Sequence, residues 1–392
     1  MSRSSASASS GAAELAHDLQ HTVKIHNNRI SNTSTFSAGD SFRSIGMSAG
    51  NTFSVEDFLR ELRVDIVEST VPSAHDEGTL IFDLVGLEAP LANALRRIMM
   101  AEVPTMAVER VEMINNTSVI PDEVLAHRLG MVPILADPRK FHFKSSSPKA
   151  GTCGGLLELE EEEDREDNAV VFELHVRCTA VPGQSEDADE DRKYINHRVL
   201  SSDFVWKPIG SQAETFRQCP IRPVHDDILI AKLRPGQEIS ARMVCVKGIG
   251  QDHAKFSPVS TTSYRLLTDV RVNHDLVTGH LAEKLVEMCP VGVFELEDGH
   301  AIPAHPRKCT LCRECIRHEG WEDRVQISRN KKHFIFSVES TGVLKPEEIV
   351  EQALEVLIQK CTTLLTELTP GGEASGDEAD AQSSSSSMDE DS

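Results

Sequence analysis

The stretch LANALRRIMMAEVPTMAVERVE, Leu91 to Glu112, constrains the fold more than any other part of the chain. Pro90 suits the first turn of a helix, where its missing N–H has no partner to lose, and Leu91, Ala94, Leu95, Ile98 and Met99 then recur at helical spacing along one face. Arg96 and Arg97 fall off that stripe, Pro104 ends the helix, and Met106 to Met113 alternates as a strand does. A helix this short does not persist alone in water, so the pattern demands a surface to pack on. Just upstream, the apolar and β-branched run Thr79 to Val85 is a strand that Gly86 turns into the helix, making strand, helix and strand one compact unit.

The chain has 392 residues, 39% of them hydrophobic, enough for two or three domains with cores of their own. It contains no run of about 18 apolar residues, so no membrane-crossing helix is expected. The net charge of −22 is concentrated: Glu158–Asp167, Glu186–Asp191 and the segment after Pro370 carry −7, −5 and −7. The remainder is close to neutral, and the three acidic runs read as solvated loops and tail. Nine cysteines in a chain of this length do not suggest a secreted disulfide framework and fit a reducing compartment. The first fifty residues are rich in Ser, Ala and Asn without a hydrophobic signal core, and Glu14 and Asp18 disfavour a transit peptide, so residues 1–52 read as a tail.

Pro121, Asp122 and Glu123 open a second short helix that Gly130 stops. The glycosylation sequons at Asn115 and Asn116 read as accidental. Between Pro133 and Pro258 the pattern becomes β-rich, with alternation at Val170–Val176, Tyr194–Leu200 and Glu238–Cys245, and with Cys153, Cys178, Cys219 and Cys245 scattered as ordinary thiols. The loop Gly248–Pro258 contains a Gly-x-Gly but neither a third glycine nor a following amphipathic helix, which makes it a poor nucleotide site. His253 and Lys255 in that loop are candidate interface residues.

A strand at Leu266–Val272, a helix at His280–Met288 and a strand at His333–Glu339 follow. Pro346, Glu347 and Glu348 then start a helix along which Val350, Leu354, Leu357, Cys361, Leu364 and Leu368 form a heptad stripe. That stripe fits either a helix buried on its own sheet or an intermolecular pair, since Ile349, Ala353 and Ile358 widen the apolar face.

Cys309, Cys312 and Cys315 form C-x2-C-x2-C, and Cys289 precedes Pro290 upstream. Three thiolates on one loop plus a remote cysteine next to proline resemble half of a bacterial ferredoxin, so a 4Fe–4S cluster is the favoured occupant. Structural zinc is the first alternative, although zinc sites usually pair their ligands two and two; an empty remnant is the second. No Walker loop, nucleophile elbow, zincin helix or apolar carboxylate pair is present, so no catalysis by the chain itself is expected.

The runs LANALRRIMMAEVPTMAVERVEM, NNTSVIPDEVLAHRLGMVPI, GQDHAKFSPVSTTSYR and HFIFSVESTGVLKPEEIV, in this order between Phe53 and Leu368, resemble the alpha-like assembly subunits of multisubunit RNA polymerases. The resemblance is greatest to the larger alpha-like subunit shared by polymerases I and III, because the insert cysteines lack the zinc-loop spacing typical of the polymerase II counterpart. It implies an α+β fold: a discontinuous dimerisation domain (53–119, 265–281 and 331–369), a β-rich insert (120–264), a small ferredoxin-like cysteine domain (282–330) and an acidic tail (370–392). It also implies a smaller alpha-like partner, docking of the second-largest subunit and small assembly subunits, contact with nucleic acid only through the assembled complex, and a location in the nucleus, including the nucleolus. Carried onto this chain, Leu91, Leu95, Ile98 and Met99 would meet the partner together with the heptad residues of the last helix. Arg96, Arg97, His253 and Lys255 would face other polymerase subunits. The cysteine segment resembles that of archaeal counterparts, with a structural role implied. The competing function is an iron–sulfur electron carrier or redox sensor with a scaffold domain; direct promoter binding is disfavoured by the lack of a basic, aromatic-interleaved patch.

Overall fold

The computed structural model describes residues 22–31, 33, 55–70, 78–144, 146–148, 159–161, 163–182 and 193–368. The chain enters with a hairpin, β1 (Thr22–Ile25) and β2 (Ile30–Ser31), then α1 (Val55–Glu61), β3 (Arg63–Ser69), β4 (Thr79–Val85) and α2 (Ala89–Ala101). Strand β5 (Pro104–Asn116) leads to α3 (Asp122–Gly130), and among shorter strands come β6 (Val170–Arg177), β7 (Val205–Lys207) and β8 (Glu238–Ile249). The last third holds β9 (Val259–Val272), α4 (His280–Met288), the pair β10 (Glu295–Glu297) and β11 (His300–Ile302), β12 (Val325–Ser340) and α5 (Pro346–Leu368).

The first sheet runs β2-β1-β12-β4-β3, with β9 also paired to β12. Its axis is β12, long enough to serve two regions. Val325–Asn330 are flanked by β1 and the end of β9, whereas His333–Glu339 lie between β4 and the start of β9. A bulge between Leu266 and Thr268 marks the change. Strand alternation sends Leu80, Phe82, Leu84, Phe334, Phe336 and Val338 to one face, which Leu95, Ile98 and Met99 of α2 and Ile349 and Ala353 of α5 cover. Phe82 stacks on Phe336 with ring centroids 5.2 Å apart. Full burial of such side chains stabilises by roughly 1.5–3 kcal/mol each, which is what fixes two helices on this face.

The second sheet runs β7-β6-β8-β5. Met106, Val108, Phe172, Leu174, Met243 and Cys245 form its core face, closed by Leu125 and Leu129 of α3. Strand β5 pairs into this second sheet, so the chain passes from one sheet to the other after α2, and β9 pairs into the first sheet from Val259. A third core, with Leu285, Phe294, Ile316, Trp321 and Ile327, lies under the cysteine segment.

Residues 22–31, read in sequence as part of a tail, are instead a hairpin that extends the first sheet, with Val23 opposite Arg329 and Ile25 opposite Ile327. The pairing joins strands some three hundred positions apart, and no local pattern announces it. The acidic run Glu158–Asp167 is likewise partly built into the fold. Asp164 accepts from Arg110 at 2.6 Å and Lys144 at 2.8 Å, and Glu166 accepts from the Ser211 N–H at 2.6 Å. Burial pushes the Asp164 carboxyl up, but Lys144 and Arg110 outweigh it and hold it below the usual carboxylate range. Residues 186–191, the segment after Pro370 and Cys153 lie outside the described residues.

Candidate dimerisation face and cysteine pocket

Helix α5 begins where Pro346, Glu347 and Glu348 suit the first turn. Its first half lies on the sheet and its second half leaves it: every residue from Ile358 to Leu368 is exposed. Ile349, Gln352 and Ala353 are buried in the chain's own core, with Val350, Val356 and Leu357 half-buried beside them. The opposite side carries Leu354, Ile358, Cys361, Leu365 and Leu368, spaced 4, 3, 4 and 3 residues apart, with Leu364 alongside. Ile358 is 65% and Leu365 67% exposed, which for side chains of this size marks an exposed apolar seam.

Of the expected interface residues, Leu95, Ile98 and Met99 are buried under α5 in the chain by itself, and Val350 and Leu357 turn inward with them. Leu91 at the start of α2 stays exposed, as do Leu354, Cys361, Leu364 and Leu368. At the far end of the helix pair, Lys360 donates to both Glu102 oxygens at 2.7 Å, tying α5 to the C-terminus of α2. Arg97 is exposed, whereas Arg96 is half-buried and donates back to Asn93 Oδ1 at 3.0 Å.

The Gly-x-Gly loop has a packing reason. A Cβ on Gly250 would sit 2.3 Å from the Met100 carbonyl oxygen, and one on Gly248 2.6 Å from the Phe256 ring. Both glycines thus permit close approach, the first of them to the end of α2. Lys255 is not a free surface cation: its side chain is 11% exposed, pairs with Glu109 and donates to the Val108 carbonyl at 2.8 Å. His253 is exposed, and its Nδ1 accepts from the Lys255 N–H at 3.1 Å.

On the other face of the first sheet the cysteine segment is docked. Asp83 and His333 point away from the helices, and Arg307 donates twice to Asp83, at 2.6 and 2.9 Å. Two residues later the chain enters the C-x2-C-x2-C loop. Cys289 from the end of α4 joins Cys309, Cys312 and Cys315 around one pocket walled by Val270, Val291, Val293, Phe294 and Ile327. Leu311 and Arg313 both adopt left-handed backbone, φ 59° and 64°, which folds the loop around the pocket at a cost of roughly 1–2 kcal/mol each. The Cys289 Sγ accepts from the Val293 N–H at 3.3 Å.

Burial pushes the Cys309 thiol up, and the same cause, with the three neighbouring cysteines adding to it, pushes Cys315 up to about 12. Among the described residues, no three His, Cys, Asp or Glu side chains are grouped tightly enough to hold an ion. The donor set, four soft sulfurs in an apolar pocket with an N–H aimed at one of them, fits a thiolate-bound cluster in its chemistry.

A family model described as the RNA polymerase Rpb3/Rpb11 dimerisation domain matches residues 81–361, from β4 through most of α5. The chain belongs to this family. Its relatives include the Mus musculus RPAC1 subunit of DNA-directed RNA polymerases I and III, 48% identical over 316 residues, covering 79% of this chain and 86% of that protein. The Saccharomyces cerevisiae RPAC1 subunit of polymerases I and III is 39% identical over 349 residues, 88% of this chain and 98% of that one. The Dictyostelium discoideum polymerase II subunit rpb3 is 32% identical over 304 residues, 75% of this chain and 92% of that protein. For an Rpb3/Rpb11-type domain, α2 and α5 are the elements to inspect for pairing, and the structure assigns them unequal parts. Helix α2 is packed into the core, whereas the second half of α5 is exposed. Ile358 and Leu365 were absent from the stripe read in sequence; the available signal was a second stripe on the same helix that shares Leu354, Cys361 and Leu368 and has Ile358 and Leu365 in place of Leu357 and Leu364.

Proposed function

We propose that this chain is the larger alpha-like subunit of RNA polymerases I and III, a non-catalytic architectural subunit on which core assembly starts. The seam on α5 carries the proposal, because an apolar heptad stripe projecting from an Rpb3/Rpb11-type domain matches the need of a helix pair. The partner is a smaller alpha-like subunit, and the pair docks the second-largest subunit and the small assembly subunits. Arg97 and His253 on the exposed surface are the contacts carried forward, with Arg96 in support. Higher identity to the polymerase I and III relatives than to the polymerase II subunit favours this assignment. Nucleic acid is met only through the assembled enzyme, and the location is the nucleus, including the nucleolus.

Within this reading the second sheet is the β-rich insert and the third core the ferredoxin-like domain. Its four cysteines hold a 4Fe–4S cluster of structural role. They share one pocket as a three-plus-one set, the grouping that favours a cluster over a lone zinc, whose ligands usually come in two pairs. The bound group would tie the end of α4 to the Cys309–Cys315 loop.

Native purification of a tagged chain tests the assignment: polymerase I and polymerase III subunits together, with a smaller alpha-like chain, are the expected recovery. Recovery of polymerase II subunits alone refutes it. Iron and sulfide in anaerobically purified protein are expected, and colourless protein with stoichiometric zinc refutes the cluster.

A further inference from the structure

The N-terminal hairpin meets the cysteine segment at its tip. Asn27 donates its backbone N–H to Glu322 Oε1 at 2.8 Å and its side-chain amide to the Arg317 carbonyl at 3.1 Å, while its own carbonyl accepts from Arg313 at 3.0 Å. Behind the tip, Ile25 is half-buried against the third core, and β1 pairs with β12 over Thr22–Ile25. Around these contacts lies a cavity of about 360 Å³, lined by Lys24, His26 and Arg29 of the hairpin and by Ile316, Glu322 and Asp323 of the cysteine segment. A joint of solvent-exposed hydrogen bonds beside a polar cavity opens at far lower cost than a packed core.

What the tip grips is the loop that carries three of the four cysteines. Arg313 lines the pocket from left-handed backbone, φ 64°, and its guanidinium is the group that the Asn27 carbonyl holds. Arg317 follows Cys315 by two positions, whereas Cys289 comes from the end of α4. The thiols lie at different depths: Cys312 is exposed, Cys289 and Cys309 are half-buried, and Cys315 is buried. A reagent therefore meets Cys312 first and reaches Cys315 only when the loop moves. We propose that the hairpin is a strap controlling access to the cysteine pocket. With Asn27 engaged, the Cys309–Cys315 loop is held down; with Asn27 released, the loop lifts away from Cys289 and the deeper thiols open to solvent. That iron and sulfide are what passes rests on the reading of the pocket as a 4Fe–4S site, but the strap itself does not.

The test uses the full chain co-expressed with its smaller alpha-like partner and purified anaerobically, as wild type, as the double variant Asn27→Ala/Glu322→Ala, and with residues 22–31 deleted. Each is stripped with an iron chelator and then given N-ethylmaleimide, and mass spectrometry of digests follows every cysteine. In the double variant Cys309 and Cys315 should label about tenfold faster than in wild type, as loss of two hydrogen bonds implies for an opening equilibrium, and faster still in the deletion. Cys312, already exposed, and Cys245, buried in the second sheet, should keep their wild-type rates. Bleaching during the chelator step should accelerate by a similar factor. Wild-type labelling of Cys309 and Cys315 in the double variant overturns the strap. Acceleration that extends to Cys245 also overturns it, since the hairpin would then support the whole fold. Wild type free of iron and sulfide, with Cys309 and Cys315 still protected by the hairpin, overturns the cluster and leaves the strap standing.

Discussion

Arg307 grips Asp83 through two hydrogen bonds, 2.6 and 2.9 Å long, across 224 positions of the chain, and His333 Nε2 lies 2.8 Å from the same carboxylate. The contact fastens the cysteine segment to the back of the first sheet. Burial pushes the Asp83 carboxyl up, yet Arg307 and His333 outweigh it and leave it below its ordinary value of 3.8. The pair's contribution is therefore complete above that value and disappears as pH falls through the lower folded value. Replacing Asp83 with Asn should cost about 2 kcal/mol at neutral pH, as loss of charged hydrogen bonds does. Denaturant titrations should also show wild type losing stability more steeply than Asp83→Asn between about pH 5 and pH 3.

The two helices of the dimerisation unit should answer differently to the same kind of change. Ile358→Asp or Leu365→Asp should abolish pairing with the smaller subunit while shifting the stability of the free chain by less than about 0.5 kcal/mol, since both sites are exposed. Leu95→Ala should cost about 2–5 kcal/mol and weaken pairing only through the fold. Light scattering on the mixed subunits, beside thermal melts of each free variant, checks both.

Gly250 has no room for a side chain against the Met100 carbonyl. Gly250→Ala should lower stability by about 1–3 kcal/mol through forced displacement of the loop from α2. His253→Ala, at an exposed position of the same loop, should change stability little while reducing recovery of polymerase subunits. Melting curves and pull-downs of the two variants distinguish packing from docking.

Cysteine reactivity should sort by depth. Burial raises the Cys245 thiol far above its ordinary range, whereas Cys219 and Cys361 are exposed. At pH 8, iodoacetamide should label Cys361 and Cys219 within minutes and leave Cys245 untouched until denaturant is added, as mass spectrometry of digests would read out. Pairing with the smaller subunit should protect Cys361 alone of the two.

Asn27 at the tip of the N-terminal hairpin donates its N–H to Glu322 at 2.8 Å and its side-chain amide to the Arg317 carbonyl at 3.1 Å, and its carbonyl accepts from Arg313. Deleting residues 22–31 should speed hydrogen exchange across Cys309–Trp321 at least several-fold, with the second sheet unaffected. Unchanged exchange in that loop would show that the hairpin is not its clasp.

Local patterns were legible wherever the deciding physics is local. Thr79–Val85, His280–Met288 and the start at Pro346 appear in the structure with the bounds that alternation, helical spacing and end signals indicate. The four cysteines, too, were identifiable by spacing alone, and the fold brings them to one pocket. The N-terminal hairpin was not legible, because Val23 owes its strand to Arg329 in β12. Lys255 looked like a surface cation because nothing nearby in sequence shows that Val108 and Glu109 will reach it.

By itself the sequence determined which segments are helix and strand, that the cysteines form a three-plus-one set, and that the motifs are those of an alpha-like polymerase subunit. Only the tertiary structure decided which side of each helix is used. Helix α5 carries apolar residues around more than half its surface, so periodicity admits two seams. The arrival of α2 and the β4–β12 face buries Ile349 and Ala353, and that burial leaves Leu354, Ile358, Cys361, Leu365 and Leu368 exposed. Burial is a property of what comes to lie alongside a residue, and for α5 those neighbours include Ser69, 278 positions from the Glu347 it meets.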